Sequence, residues 1–91
     1  MTVKAEMRHY ERVASLPCVL CGALGRETVG VHVHHLRAGT GAGRRAPWPL
    51  TAALCPDCHT GSHGVHGDRQ LLRQAKVDEI DLVAMTLERL L

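Results

Sequence analysis

Histidine and cysteine, two residue types that bind transition metals, are concentrated in one part of this sequence. Every histidine except His9 lies between Gly30 and His66, as do two of the four cysteines. The other two, Cys18 and Cys21, come shortly before this segment. Imidazoles and thiolates are the usual protein ligands of zinc and related ions. The concentration predicts a chain organised around metal, either to hold its fold or to perform chemistry as well.

The four cysteines form two C-x-x-C pairs, the first followed by Gly22. Each C-x-x-C turn lets two thiolates converge on one ion, and two such turns separated by a longer insert are typical of a four-cysteine zinc site. A thioredoxin-like redox pair is disfavoured because no βαβ pattern surrounds the first turn. Two disulfides or free thiols stay open as alternatives. The predicted ligands of a structural Zn²⁺ are Cys18, Cys21, Cys55 and Cys58.

The histidines occur at spacings that can bring imidazoles together. Residues four apart on a helix share a face, so His59 and His63 are expected to reach one ion. Adjacent strand residues point to opposite sides, so only one of His34 and His35 is expected to bind the metal. The other imidazole then lies beside the ion. There it can take a proton from water while the cation polarises a phosphate.

Length and composition describe the chain that carries these residues. With 91 residues, no Phe, one Tyr and one Trp, it is expected to be a single domain with a small core that a structural metal stabilises. The sequence MTVKAEMRHY at the start lacks a signal-peptide pattern, and no apolar run approaches the ~20 residues of a membrane span. We therefore expect a cytoplasmic protein with reduced cysteines and no membrane association.

Positive charge is local rather than general. The net charge is only +2, but residues 26–45 carry four arginines against the single acidic residue Glu27. A basic stripe of this kind points to a polyanion partner. The segment Ala38–Arg45 (AGTGAGRR) is expected to be a loop that brings arginines to phosphates, the alternative being a solvated loop. The predicted phosphate-contacting residues are Arg37, Arg44 and Arg45.

Hydrophobic patterns predict the elements before the second cysteine pair. Apolar residues at helical spacing predict an amphipathic helix from Val3 to Ser15, with His9 on its solvated face. Thr28–His34 is rich in β-branched residues and predicts a strand, and Leu50–Leu54 predicts the return strand of a hairpin. The Pro47–Pro49 segment between them is expected to be extended.

The rest of the chain is predicted to be helical. Pro56 suits the first turn of a short helix that carries Cys58 and the histidines after it. Asp68 and Asp78 are the predicted N-caps of two further helices. The last helix is expected to pack through one apolar stripe, with a dimer interface on the same stripe as the alternative. The stripe comprises Ile80, Val83, Ala84, Leu87, Leu90 and Leu91.

Taken together, these motifs resemble the HNH nucleases, nearest to small phage-type HNH proteins associated with recombination. The resemblance implies an α+β fold: a zinc-stabilised ββα-metal, treble-clef-like domain spanning residues 1–91. Residues 1–15 form its N-terminal helix, 16–67 its zinc knuckles and core, and 68–91 a C-terminal helical segment. The motifs are LPCVLCG at Leu16–Gly22, HHL at His34–Leu36, the Gly/Arg loop, LCPDCH at Leu54–His59 and HGVHG at His63–Gly67.

The resemblance also implies an activity, namely metal-dependent hydrolysis of DNA phosphodiester bonds with low sequence specificity. His35 matches the general base, His34 and His59 match metal ligands, and His63 matches a third ligand found in the bacterial DNase toxins of the family. His66 is a reserve ligand. The implied catalytic metal is Zn²⁺, Ni²⁺, Mn²⁺ or Mg²⁺. The implied partners are DNA and a recombination or packaging protein, with the chain a monomer or weak homodimer.

The sequence departs from the family in having no asparagine, the residue that ties the hairpin loop together and helps to hold the base histidine. Its slot falls around Trp48–Leu50. Either the Thr51 hydroxyl or the stiff Pro-Trp-Pro segment is the expected substitute. No carboxylate stands in a motif position beside the histidines. The alternative function is a catalytically inactive zinc-binding, DNA-binding or adaptor module on the same scaffold.

Overall fold

The computed structural model describes residues 3–37 and 46–91, which form helices around a two-stranded antiparallel hairpin. This confirms the α+β class. Leu20, Leu54 and Leu82 are fully buried and lie in the core. The helices are α1 (Val3–Ala14), α2 (Val19–Ala23), α3 (Pro56–His59), α4 (Gln70–Ala75) and α5 (Glu79–Leu90); the strands are β1 (His32–His35) and β2 (Thr51–Leu54).

The hairpin has a fixed register in which His32 lies opposite Leu54 and His35 opposite Thr51. The return strand is confirmed, since β2 covers the predicted segment except for its first residue. The first strand is shorter than predicted and begins at His32 rather than Thr28. Gly30 has a φ of 81°, in the left-handed region that ends an extended conformation. The Thr28 carbonyl also accepts from the Cys18 N–H instead of a strand neighbour.

The segment before β2 is a turn, so the prediction of an extended Pro47–Pro49 is wrong. The Leu50 N–H donates to the Pro47 carbonyl at 3.0 Å, which closes the turn. A proline φ near −65° suits a turn as well as an extended chain, and the pattern of prolines alone did not distinguish them. The turn places the Trp48 ring 5.2 Å from the His9 ring.

Helix α1 is confirmed within one residue of its predicted end, but the environment of His9 differs from the prediction. His9 is buried rather than solvated, and its Nε2 lies 2.8 Å from Thr51 Oγ1. Val13, one turn later on the same face, is fully buried. At the other end of the helix, the Arg12 guanidinium donates to the Leu90 carbonyl and joins α1 to α5.

Helix α5 begins as predicted. The Asp78 carboxylate accepts from the Asp81 N–H and the Asp81 carboxylate accepts from the Asp78 N–H, each at 2.9 Å. Such a capping box stabilises a helix by about 1 kcal/mol. The packing face of the helix is rotated from the predicted stripe, of which Val83 is buried and Leu87 packs partly buried against the core. The buried residues are Glu79, Leu82, Val83 and Thr86.

The packing face of α5 includes a buried polar residue, Thr86. The Thr86 hydroxyl donates to the Leu82 carbonyl at 2.9 Å and accepts from the Ala53 N–H at 3.2 Å. A buried threonine therefore covers the outer edge of β2. An apolar stripe could not reveal this face, and Ile80, a predicted packing residue, is 58% exposed.

Helix α4 is shorter than predicted and its N-cap is Arg69 in the left-handed conformation, not Asp68. Asp68 still accepts a hydrogen bond from the Gln70 N–H at 3.0 Å. No helix within residues 3–37 and 46–91 has both the length and the apolar character needed to cross a bilayer.

Candidate metal centres

The four cysteines come together as predicted, each pair delivered by the start of a short helix. Cys18 is the N-cap of α2, and its sulfur accepts from the Cys21 N–H. Cys55 is the N-cap of α3, where Pro56 supplies the first helical position and Cys58 follows one turn later. All four side chains are buried. We call these four residues the cysteine group.

The distances within the cysteine group suit a metal and not disulfides. The Cys21 sulfur lies 3.7 Å from the sulfurs of both Cys55 and Cys58. A disulfide needs about 2.05 Å, and all four thiols are free. Four thiolates around a tetrahedral zinc, each about 2.3 Å from the ion, lie about 3.8 Å apart. The group is therefore compatible with a structural metal such as zinc.

The electrostatics of the cysteine group also favour a cation. The hydrogen bond from Cys58 lowers the pKa of Cys18 to about 5, and the same contact raises the pKa of Cys58. Burial raises the pKa of Cys55. The protein alone thus stabilises one thiolate at the expense of its neighbours. A bound cation removes that conflict, because it compensates the charge of all four sulfurs together.

Three histidines form a second group, His34, His59 and His66, whose potential ligand atoms all lie within 4.8 Å of one another. His34 comes from the buried centre of the hairpin, His59 is the last residue of α3, and His66 lies in the turns that follow. The Nε2 atoms of His59 and His66 are 3.2 Å apart. We call these three residues the histidine group. They could hold a metal ion.

His63, the predicted third ligand, is not part of the histidine group. The prediction assumed that His59 and His63 share one face of a helix, but α3 ends at His59. The side chain of His63 instead pairs with a carboxylate, its Nδ1 lying 3.0 Å from Asp68. His66, the reserve ligand, is the residue that the structure places beside His59.

The chain after α3 folds back on the helix, and this brings His66 into place. The Val65 N–H donates to the Cys58 carbonyl at 2.8 Å and the His66 N–H donates to the His59 carbonyl at 2.9 Å. A Cβ at Gly64 would lie 2.4 Å from the Cys58 carbonyl oxygen, so only glycine permits this approach. Cys58 and His59 therefore position the same segment through neighbouring carbonyls.

A carboxylate from outside the motifs lies beside the histidine group. His34 Nε2 is 2.5 Å from Glu79 Oε2, and both side chains are buried. The same oxygen accepts from the Arg37 backbone N–H at 2.9 Å, and the Arg69 guanidinium lies 3.9 Å from the other oxygen. A carboxylate on the far nitrogen of a ligand histidine is a recurring feature of metal sites, where it fixes the ring and its tautomer.

Burial favours the neutral form of His34 and His59, which is the protonation state that binds metals. Burial lowers the pKa of His34 even though Glu79 acts in the opposite direction. With His34 neutral, its Nε2–H donates to Glu79 and its lone pair is on Nδ1. Burial, together with the neighbouring imidazoles of the cluster, lowers the pKa of His59 to about 4. His32 lies at the edge of the histidine group, with its Nδ1 2.9 Å from His59 Nδ1.

His35 lies on the other side of β1 from the histidine group, as strand alternation requires. His32 and His34 face α3, whereas His35 faces α1, with its Nε2 3.0 Å from the Tyr10 hydroxyl. The edges of both faces open into a single surface pocket of about 340 Å³. This pocket is lined by Val33, His34, His35, Leu36, Arg37, His59 and His66.

Of the three predicted phosphate-contacting arginines, the structure describes Arg37. Its side chain is exposed at the pocket, with Nη1 2.8 Å from His66 Nδ1. Arg44 and Arg45 lie outside the described residues.

Neither the protein-family models, nor the curated proteins, nor the solved structures contain a match to this chain. Any assignment of function therefore rests on the geometry of the two groups and of His35.

Proposed function

We propose that this chain is a metal-dependent DNA endonuclease of the HNH type. The cysteine group binds a structural zinc, and the histidine group binds one catalytic divalent metal. The observation that carries the proposal is the pocket lined by three converging imidazoles and by His35. The order of β1, β2 and α3 along the chain supports the proposal, because a ββα-metal arrangement has its elements in the same order.

The residues of the pocket divide the work of phosphodiester hydrolysis. The divalent metal supplies polarisation of the phosphate and stabilisation of the leaving oxygen. His34, held by Glu79, binds this metal together with His59 and His66. His35 is the general base that takes a proton from the attacking water. Three imidazole ligands favour zinc, nickel or manganese over magnesium.

DNA contacts come from phosphate-directed arginines rather than from base-reading side chains. Arg37 lies at the pocket rim, and Arg44 and Arg45 follow in the same basic stripe. The Arg37 guanidinium can only donate hydrogen bonds. His66 Nδ1 must therefore accept from it, so the lone pair of the His66 ring is on Nδ1. An ion that uses His66 Nε2 requires Arg37 to release His66. The released guanidinium is then available to a phosphate.

The test is a cleavage assay on supercoiled, linear and single-stranded DNA with Mn²⁺, Ni²⁺, Zn²⁺ or Mg²⁺. We expect metal-dependent nicking, with His35→Ala slower by about 100-fold or more because general-base catalysis contributes 10²–10⁴-fold. His63→Ala is the matched control, an exposed histidine outside the histidine group, and should cut normally. Wild-type cleavage by His35→Ala contradicts the assignment. DNA binding without cleavage under every metal supports instead the inactive DNA-binding module.

A further inference from the structure

Helix α1 holds the end of the hairpin that carries His35. Its consecutive residues His9 and Tyr10 contact the two strands separately. His9 Nε2 lies 2.8 Å from Thr51 Oγ1, and the Tyr10 hydroxyl lies 3.0 Å from His35 Nε2. His35 and Thr51 are themselves cross-strand partners. One turn of a helix therefore fixes a facing pair of hairpin residues, one of which is the proposed base.

The direction of the hydrogen bonds at Tyr10 can be deduced from the available protons. The Tyr10 hydroxyl has one proton and lies 3.0 Å from Glu6 Oε1 as well as from His35 Nε2. A carboxylate oxygen accepts, so the hydroxyl donates to Glu6. The phenol oxygen must then accept from His35 Nε2–H. In neutral His35 the lone pair is consequently on Nδ1.

We infer that Tyr10 and Glu6 are positioning residues that hold His35 with Nδ1 as its proton-accepting atom. The inference rests on the proposed role of His35 as general base and specifies how that base is prepared. One proton passes from water to Nδ1, while the Nε2 proton stays on the ring and continues to donate to Tyr10. The edge-on packing of the two rings, with centroids 5.5 Å apart and planes at 77°, also restricts rotation of the imidazole.

This arrangement gives α1 the task that asparagine has in the HNH nucleases, which is to hold the base histidine. The hydroxyl of Thr51, a candidate substitute for that asparagine, lies 2.8 Å from His9 Nε2. The hairpin end is thus secured by a helix outside the hairpin. The chemistry resembles a carboxylate that orients a catalytic histidine, with a tyrosine hydroxyl placed between the two groups.

The kinetic test uses Tyr10→Phe, which removes the hydroxyl and keeps the ring that packs on His35. We expect kcat for plasmid nicking to fall about 10- to 100-fold with KM for DNA unchanged, because misplacement of a catalytic group affects the chemical step. Glu6→Gln keeps an accepting oxygen and should retain more activity than Glu6→Ala. Glu11→Ala, on the same helix, is the control. Wild-type kcat in Tyr10→Phe, or a change in KM alone, overturns the inference.

A second test does not depend on activity. In ¹⁵N-labelled wild-type protein with its zinc bound, two-bond ¹H–¹⁵N spectra should show His35 protonated on Nε2, with that proton protected from exchange. In Tyr10→Phe the protection should be lost. A wild-type His35 protonated on Nδ1, or an Nε2 proton unaffected by Tyr10→Phe, overturns the inference. The expected spectra together with no cleavage under any metal refute the nuclease proposal and leave the positioning of His35 intact.

Discussion

The cysteine group and the histidine group differ in how far they are closed to solvent. All four cysteines are buried, whereas the histidine group runs from buried His34 through half-buried His59 to exposed His66. Structural zinc sites use protein ligands at all four positions, while catalytic sites leave a position for water or substrate. The contrast shows that one short helix, α3, can contribute both to a group that is closed to solvent and to a group that is open to it.

The two groups are also unequal in what each depends on. Cys58 and His59 are neighbours in α3, and their carbonyls hold the segment that carries His66. The position of the histidine group therefore depends on α3, whose two ends are fixed by cysteines. Nothing in the described contacts makes the cysteine group depend on His66 in the same way. A substitution that disrupts the cysteine group should therefore also disrupt the histidine group, whereas a substitution in the histidine group should leave the cysteine group intact.

The largest effect is expected for Cys18→Ser. Apparent binding free energies of structural zinc are about 10–16 kcal/mol, comparable with the whole 5–15 kcal/mol stability of a typical domain. Loss of one thiolate should remove the zinc and the cooperative unfolding transition together. Elemental analysis and circular dichroism measure these two properties, with His66→Ala as the control that keeps both. A Cys18→Ser protein that is folded without zinc would mean that the cysteine group is not structural.

A smaller effect separates His66 from His63. In the zinc-containing protein, His66→Ala should weaken binding of Ni²⁺ or Mn²⁺ at least tenfold, since it removes one of three imidazole ligands. His63→Ala should leave the affinity unchanged because His63 pairs with Asp68. Isothermal titration calorimetry measures both variants. The reverse result, with His63→Ala weakened and His66→Ala normal, would restore the ligand set predicted from helical spacing.

The smallest effect is expected for Glu79→Gln. This change tests whether the contact of Glu79 with His34 supports metal binding by the histidine group. Glutamine keeps an accepting oxygen for His34 but loses the charge. Removal of a group that orients a ligand histidine typically weakens metal affinity 10- to 100-fold, and the conservative amide should lie near the lower end. Glu88→Gln, on the exposed side of the same helix, is the control. An unchanged Ni²⁺ affinity in Glu79→Gln argues that Glu79 serves the fold and not the metal.

The features that were predicted from the sequence are those encoded by neighbouring residues. The C-x-x-C turns and the N-cap at Asp78 depend on contacts within a few positions, and the return strand at Thr51–Leu54 was predicted from a short apolar run. Local spacing restricts the backbone enough to specify such features. The proximity of His34 and His59 was implied by the family resemblance of the motifs.

The features that were missed depend on the path of the backbone between distant residues. Glu79 reaches His34 across 45 positions, and a glutamate in a first helical turn is ordinarily read as a dipole-compensating surface residue. Choosing His66 over His63 required the chain to fold back after α3. Glycine at Gly61, Gly64 and Gly67 was the available signal, since a glycine at every third position weakens a helix and permits close backbone approach.

Helix α1 ends before Leu16, where the recognisable motifs begin, and none of the grouped metal ligands lies in it. A unit defined by metal ligands would therefore omit Tyr10, which is hydrogen-bonded to the proposed base, and Glu6, which accepts from Tyr10. In evolutionary terms, the metal centre and the partner of the base can be inherited separately. A different flanking helix could alter the reactivity of the site while every metal ligand stays the same.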